Sequence, residues 1–438
     1  MLKILICLFA CLVFSQRLLA LDFLEIEKQY GSILKVSISH ASQEDDQDLQ
    51  GVLKNLTGII GGDFNTTVDT KFAGNKTYLM DSGILDLKKY AYEGYIYNIN
   101  LTVAYKDKAE GSYVVEAKVY DVKNELVLAG KKYSFKLDAI RKVAHVISDV
   151  AYYTITGKRG YFQSKILFSS SELIKTPASR KSIYVIDQDG YGEVELIAGG
   201  MLTMPTYDSK RNIFAYVDMT SGEPTIQSFS PASRSREKIS SIYPVLTQEK
   251  YSSTPAFCES GDCMFFTRIG TQGSDIWKVS SSGLIKVTSS DKVISTSPSP
   301  SPDASAIVFE SGDSNGRRNL YIAGVSMIDG KRILAGNDGV YAEPRWSPDG
   351  DWIAFTKIRN GLFHLGIIKP DGTEEQILYS SYMLENPTWM PNSDAILFSE
   401  KKSLSSRHAL VMIDLTGRVV REIKTNIGAT SPNMMVIR

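Results

Sequence analysis

The sequence predicts a multidomain chain, with a small α+β N-terminal domain followed by an all-β six-bladed β-propeller. Three observations carry that prediction. A motif of proline, aromatic, tight turn and apolar strand recurs, with leading prolines at Pro205, Pro255, Pro298, Pro344, Pro387 and Pro432, spaced 50, 43, 46, 43 and 45 residues apart. A second kind of hairpin sits between successive copies, so each period holds four strands, the unit of a propeller blade. The first third of the chain lacks this period and mixes helical with alternating patterns.

The 438 residues suffice for two or more domains, and 43% hydrophobic with 22% charged residues is an ordinary globular balance. A formal net charge of zero argues against a nucleic-acid partner, which leaves a basic footprint. Abundant Tyr, Phe, Ser and Thr favour β-structure. In residues 1–20, Lys3 precedes an apolar run from Ile4 to Phe14. This reads as a signal peptide, too short to span a bilayer. Cleavage is expected after Ala20, with Ser15 as the competing position. A lipoprotein reading at Cys11 is disfavoured by the bulky Phe9. No later segment is apolar enough to cross a membrane, so the mature chain is expected to be exported and soluble.

Residues 21–157 form the N-terminal domain. Leu49, Val52, Leu53 and Leu56 fall at helical spacing, with the helix expected to stop at Gly61. The acidic residues Glu44, Asp45, Asp46 and Asp48 are expected to complement its N-terminus rather than to bind metal. Residues 95–107 and 112–135 alternate like antiparallel strands. Ile140, Val143, Ile147, Val150 and Ala151 share one face of a second helix that ends at Gly157. A short link, 158–160, leads into the propeller at 161–438.

Within each copy the turn has a physical logic. In "EPRWSPDGDWIAF", Pro348 presets φ, Asp349 accepts local backbone hydrogen bonds and Gly350 takes positive φ. Trp346 and Phe355 are expected to pack between blades. The last copy, "SPNMMVIR", supplies one strand and then the chain stops. Its partner is the segment around Ile166 to Phe168, so the two ends are expected to complete one blade and close the ring. Cys258 and Cys263 remain after loss of the signal. They flank a blade turn, and in an exported protein they are expected to pair as a disulfide.

Passage from one blade's outer strand to the next blade's inner strand gathers the residues before each repeat proline around the channel. These are Met204, Thr254, Ser297, Glu343, Asn386 and Ser431, with Ala342 and Glu385 beside them. They form a polar face able to offer acceptors to a basic or amide-rich loop.

The stretch "RKVAHVISDVAYYTITGKRGYFQSKILFSS" resembles the domain junction of the TolB family, periplasmic propeller proteins of the Tol-Pal system. The matching residues are Arg141, His145, Asp149, Ile155 to Gly157, Gly160 to Phe162 and Ile166. "GSYVVEAKVYDVKNELVLAGKKYSF" is similar to the family's N-domain hairpin, and "EPRWSPDG" and "ENPTWMPN" to its blade motif. Pro300 and Ala304 stand where that motif has Trp and Gly. The resemblance implies a non-enzymatic scaffold in the periplasm that helps keep the outer membrane joined to the wall during division. It implies that the peptidoglycan-associated lipoprotein Pal, and by extension other outer-membrane lipoproteins, bind at the propeller mouth. There "EPRW" makes Glu343 the first choice, with Glu385 and Arg345 next. It also implies that an N-terminal segment, by position Leu21, Asp22, Phe23, Leu24, Glu25 and Ile26, binds TolA.

The competing classes are a propeller-based periplasmic hydrolase or lyase and a carbohydrate-binding protein. One GxSxG string occurs, Gly312 to Gly316, but no hydrolase-sized segment is seen after the last blade; no HExxH helix or phosphate loop occurs, and His40, His145, His364 and His408 are scattered. No catalytic residue, metal or cofactor is therefore expected. His145 reads as a satisfied polar group at the domain interface.

Overall fold

The computed structural model describes residues 33–42, 46–80, 84–170, 180–246, 250–289, 293–312, 317–325, 332–335 and 338–436. The expected signal peptide and the segment Leu21 to Ile26 lie outside the described residues, as do Glu44 and Asp45.

The N-terminal α/β region contains β1 (Leu34–Ser42), α1 (Gln47–Phe64), β2 (Thr70–Gly74), α2 (Leu87–Tyr92), β3 (Tyr97–Asp107), β4 (Ser112–Asp121), β5 (Leu126–Lys136) and α3 (Ile140–Thr156). Its sheet runs β2-β1-β3-β4-β5. The meander β3-β4-β5 is antiparallel, whereas β1 pairs parallel with both neighbours. The alternation of β3 and β4 puts Ile99, Leu101, Val103 and Val115 on the face that α1 and α3 cover. Asp46 caps α1, its side chain accepting from the backbone N–H of Asp48 at 2.8 Å, and also holds Lys108 at 3.0 Å.

Two helix expectations need correction. α1 does not stop at Gly61 but runs to Phe64. Gly61 sits inside the helix because a Cβ there would lie 2.9 Å from the Phe72 ring, so the glycine permits close helix–strand packing. On α3, Val150 is 36% exposed, and the buried face is instead Ala144, His145, Ile147, Ser148, Ala151, Tyr152 and Ile155. The helix turns its polar His145 and Ser148 inward, which an apolar periodicity does not register. Gly157 does end it, in the left-handed region at φ 72°.

The remainder is a β-propeller fold. Four-stranded antiparallel sheets begin at Leu202, Val340, Met383 and Ala429. An eight-stranded sheet spans Ser252 to Ala335, and among the described residues the ladder pairing between its halves is confined to Ser274 opposite Ile294. In the sheet that begins at Ala429, the terminal strand Ala429–Met435 pairs antiparallel with Lys165–Ser170, bringing the two ends of the region together. Successive sheets stack through aromatic and aliphatic side chains. Phe355 is fully buried beside Tyr341 (5.4 Å between ring centroids), and Trp352 packs with Trp389 and Phe398. Trp346 is only partly buried, its Nε1 donating to the Gly350 carbonyl at 3.1 Å.

The inner-strand turns repeat one geometry. Ser347 N–H donates to Trp352 O and Gly350 N–H to Ser347 O, and the turns starting at Cys258, Ser301 and Met390 carry the same pair of bonds. Cys258 and Cys263, Cα atoms 5.3 Å apart, are joined as a disulfide across this turn. The closed loop is short, so replacing both cysteines by serine is expected to lower stability by no more than about 3 kcal/mol. Two thiols titrating in unreduced, denatured protein would contradict the pairing. The left-handed corner is Gly350 at φ 85° but Ala304 at φ 55°. Ala304 bears a steric cost of about 1–2 kcal/mol there, against about 0.5–1 kcal/mol for a glycine's extra entropy. Ala304→Gly is accordingly expected to raise the denaturation midpoint, and a lowered midpoint would show the corner to be unstrained.

Candidate functional site: the propeller channel

The inner strands share a feature that their sequences do not announce. The repeat prolines lie at the fourth or fifth residue of each strand, not at its start. The residue before each proline is left-handed: Met204, Thr254, Ser297, Glu343, Asn386 and Ser431 all have φ between 48° and 55°. At the same points the ladder slips by one residue, as between Ala342 and Arg345 or Glu385 and Thr388. Each inner strand thus carries a β-bulge closed by proline. Proline is admissible there because an inner strand is a sheet edge and a bulge needs no ladder N–H. The predicted mouth residues form a ring midway along the strands, each in a costly conformation.

A cavity of about 270 Å³ opens along these strands. The residues after the prolines line it, Thr206, Ala256, Ser299, Arg345, Thr388 and Asn433, as do Met204, Thr254, Asn386 and Ser431 of the ring. Arg159, just after α3, reaches the same cavity. Glu343, Ser297, Ala342 and Glu385 are not among its lining residues.

Glu343 is tied into the ring. Its Oε2 accepts from the backbone N–H of Asn386 at 2.6 Å and from Thr356 Oγ1 at 3.1 Å, which clips one sheet to the next. The nearby Glu310 carboxylate, its pKa raised by burial and lowered in part by the Glu343 amide, accepts from Ser297 Oγ at 3.2 Å and faces Arg318 Nη1 at 3.5 Å. Burial raises the Glu343 carboxyl above the usual range, opposed by the Asn386 amide and the Arg345 charge. Arg345 gives one Nη1 bond to the Pro344 carbonyl at 2.9 Å, and its own carbonyl accepts from Trp389 Nε1 at 2.9 Å.

Glu385 differs. Among the described residues no donor bonds its carboxylate. Burial, then the Glu343 charge, push its pKa up to about 7, with Lys181 opposing. Sequence reasoning missed Glu310, Arg318 and Lys181. Glu310 had a signal: it follows the strand phenylalanine Phe309 where Thr267, Thr356 and Ser399 follow Phe266, Phe355 and Phe398.

A second polar cluster joins the N-terminal region to the propeller. His145 Nδ1 lies 2.9 Å from Asp63 Oδ2, and Gln188 Nε2 donates to Asp63 Oδ1 at 3.1 Å. Arg141 bonds Asp189 and approaches Asp187, which Lys165 also holds. His145, Asp187 and Asp189 lie close enough to share an ion, but the two cations already neutralise the carboxylates. Lys158 bridges Asp69 at 3.1 Å and Asp394 at 3.0 Å, and Tyr152 donates to Asp69 at 2.8 Å. Asp149 accepts from the Phe162 amide at 2.9 Å and from Gln163 at 2.7 Å. The residues that resemble the TolB junction are those that weld the two regions.

Among the described residues, no helix is long and apolar enough to cross a membrane. A family model, the TolB beta propeller domain, matches residues 152–434. The Tol-Pal system protein TolB of Gluconobacter oxydans (strain 621H) is 33% identical over 331 residues, covering 74% of this chain and 71% of the relative. That of Wolbachia sp. subsp. Drosophila simulans (strain wRi) is 28% identical over 76% of this chain and 78% of its own length. The crystal structure of TolB from Acinetobacter baumannii superimposes with a TM-score of 0.76, covering 92% of this chain and 97% of that one at 19% identity, a likeness of fold. The chain belongs to the TolB family of Tol-Pal system proteins.

Proposed function

We propose that this chain is a non-enzymatic periplasmic scaffold: a closed six-bladed propeller whose channel mouth binds the lipoprotein Pal. Its N-terminal segment, Leu21 to Ile26, binds TolA, and the assembly supports outer-membrane integrity and constriction at division. Six blades follow from counting the eight-stranded sheet as two, since one bridge pair joins its halves. The division into domains 21–157 and 161–438, after a signal peptide at 1–20, belongs to the same reading.

The observation that carries the binding role is the ring of six left-handed residues beside an unpartnered carboxylate, Glu385. Strain held at equivalent points of every inner strand, next to a half-buried acid with no donor among the described residues, suits a site whose partner supplies that donor. A basic or amide-bearing loop fits it. Titration calorimetry with the soluble domain of Pal from the same cell is expected to show saturable binding, and its absence would refute the reading. Glu343→Lys is expected to cost roughly 2 kcal/mol or more in Pal affinity. Because Glu343 also clips Asn386, Glu385→Gln is the cleaner variant. With its pKa about 7, Glu385 is charged above neutrality, so Pal affinity is expected to fall from pH 8 to pH 6. Glu385→Gln should flatten that dependence, and an unchanged pH profile would remove Glu385 from the site.

A further inference from the structure

Among the described residues, the β5 edge of the N-terminal sheet is unpaired. β5 pairs with β4 from Leu126 opposite Asp121 to Lys136 opposite Ser112, with one slip that leaves Leu128 as a bulge, and among the described residues nothing pairs with its other edge. Eleven residues of backbone therefore present half their N–H and C=O groups outward. Phe135 is buried, and Ala129 and Tyr133 pack against the core. The beginning of the strand is different: Leu126, Val127 and Leu128 are 57%, 55% and 42% exposed. Beyond them Lys131, Lys132 and Lys136 are exposed, and none forms an ion pair with a described carboxylate. Lys131 rests over the Tyr133 ring at 5.6 Å.

Lysines on an edge normally guard it against unwanted pairing. A guarded edge has no use for three consecutive exposed aliphatic residues, which are what an added strand would cover. We propose that β5 is a docking edge for an extended segment of another protein, aliphatic along one half and acidic along the other, added as a sixth strand. Backbone bonds would supply the affinity, and the Leu126–Leu128 and Lys131–Lys136 halves would set its direction. The charge pattern argues against a second copy of this chain. Full antiparallel self-pairing sets Lys131 against Lys131, and like charges directly opposite destabilise a ladder. A register that matches only the aliphatic ends, about Val127, overlaps three residues. The edge is independent of the channel, so its failure would leave the Pal reading untouched.

The test uses the full-length mature chain and end-capped ten-residue peptides. One peptide has glutamates in its first half and valine and isoleucine in its second; the others are its reversal and a lysine-for-glutamate version. One of the two acidic peptides is expected to bind and to slow amide exchange across 126–136. The lysine version should bind about tenfold more weakly or worse. Lys131→Glu with Lys132→Glu, both exposed and so not needed for folding, should reverse that preference. The proposal is overturned if neither acidic peptide binds, if the lysine version binds equally well, or if exchange slows elsewhere. Slowing in a concentration-dependent dimer without peptide would also overturn it.

Discussion

A chain truncated after Gly428 is expected not to fold. The strand it loses, Ala429–Met435, is the inner strand of the sheet whose other members come from the start of the propeller region. Ala429, Thr430, Ser431 and Met434 are buried, and Ser399 Oγ donates to the Ala429 carbonyl at 2.9 Å. Removal would bare the ladder edge of Lys165–Ser170 and the packed side chains Ile166 and Phe168. It would also delete Ser431 from the channel ring. Domains are stable by only about 5–15 kcal/mol in total. An exposed inner edge plus a lost strand's burial exceeds that margin, and free edges invite aggregation. The expected result is an insoluble product, or a soluble one without a cooperative thermal transition. A truncated protein melting within a few degrees of the full chain would show that the ring does not depend on this closure.

The second large effect is expected at the weld between the two regions. Asp63, at the end of α1, is 1% exposed and satisfied by His145 and Gln188. Replacing His145 by alanine strands that carboxylate in the interface, and breaking one side of a buried pair costs about 3–5 kcal/mol. The pair also predicts a pH dependence. Burial alone pushes the His145 imidazole down, but the hydrogen bond and charge of Asp63, aided by Asp189 and opposed by Arg141, leave it above the ordinary histidine value. A group whose pKa rises on folding contributes fully below its unfolded value, about 6.5. That contribution is lost as pH rises through the folded value. The wild-type urea midpoint should thus fall from pH 6 to pH 8, and His145→Gln should reduce that fall. An identical slope in the variant would mean that the imidazole does not titrate with folding.

Much of the architecture was legible because a propeller repeats one burial problem. Each inner strand must set a turn and then bury an apolar run, so proline, aromatic and Ile353–Phe355-type segments recur in register. The closure at Ile166 to Phe168 was legible for the same reason: a lone final strand needs a partner. What could not be read was conformation at single residues. Nothing in Thr254 or Ser297 marks a left-handed residue, and proline suggested a strand's start where it marks a bulge. Gly61 read as a stop because glycine ends helices more often than it admits an aromatic ring such as Phe72. At the site, the sequence pointed to Glu343 but not to its dual engagement with Asn386 and Thr356. That link depends on how neighbouring sheets stack. Glu310 was visible only as a substitution at a repeated position, where a carboxylate replaces a hydroxyl.

The central claim, that Pal docks on the channel mouth, is tested most directly by amide hydrogen exchange of the full mature chain with and without the soluble domain of Pal. The account predicts added protection in the inner-strand bulges, at Ala342 to Arg345 and Glu385 to Asn386, with little change in β1 to β5. Binding that protects only the N-terminal sheet or the outer strands, and leaves those bulges unchanged, would contradict it.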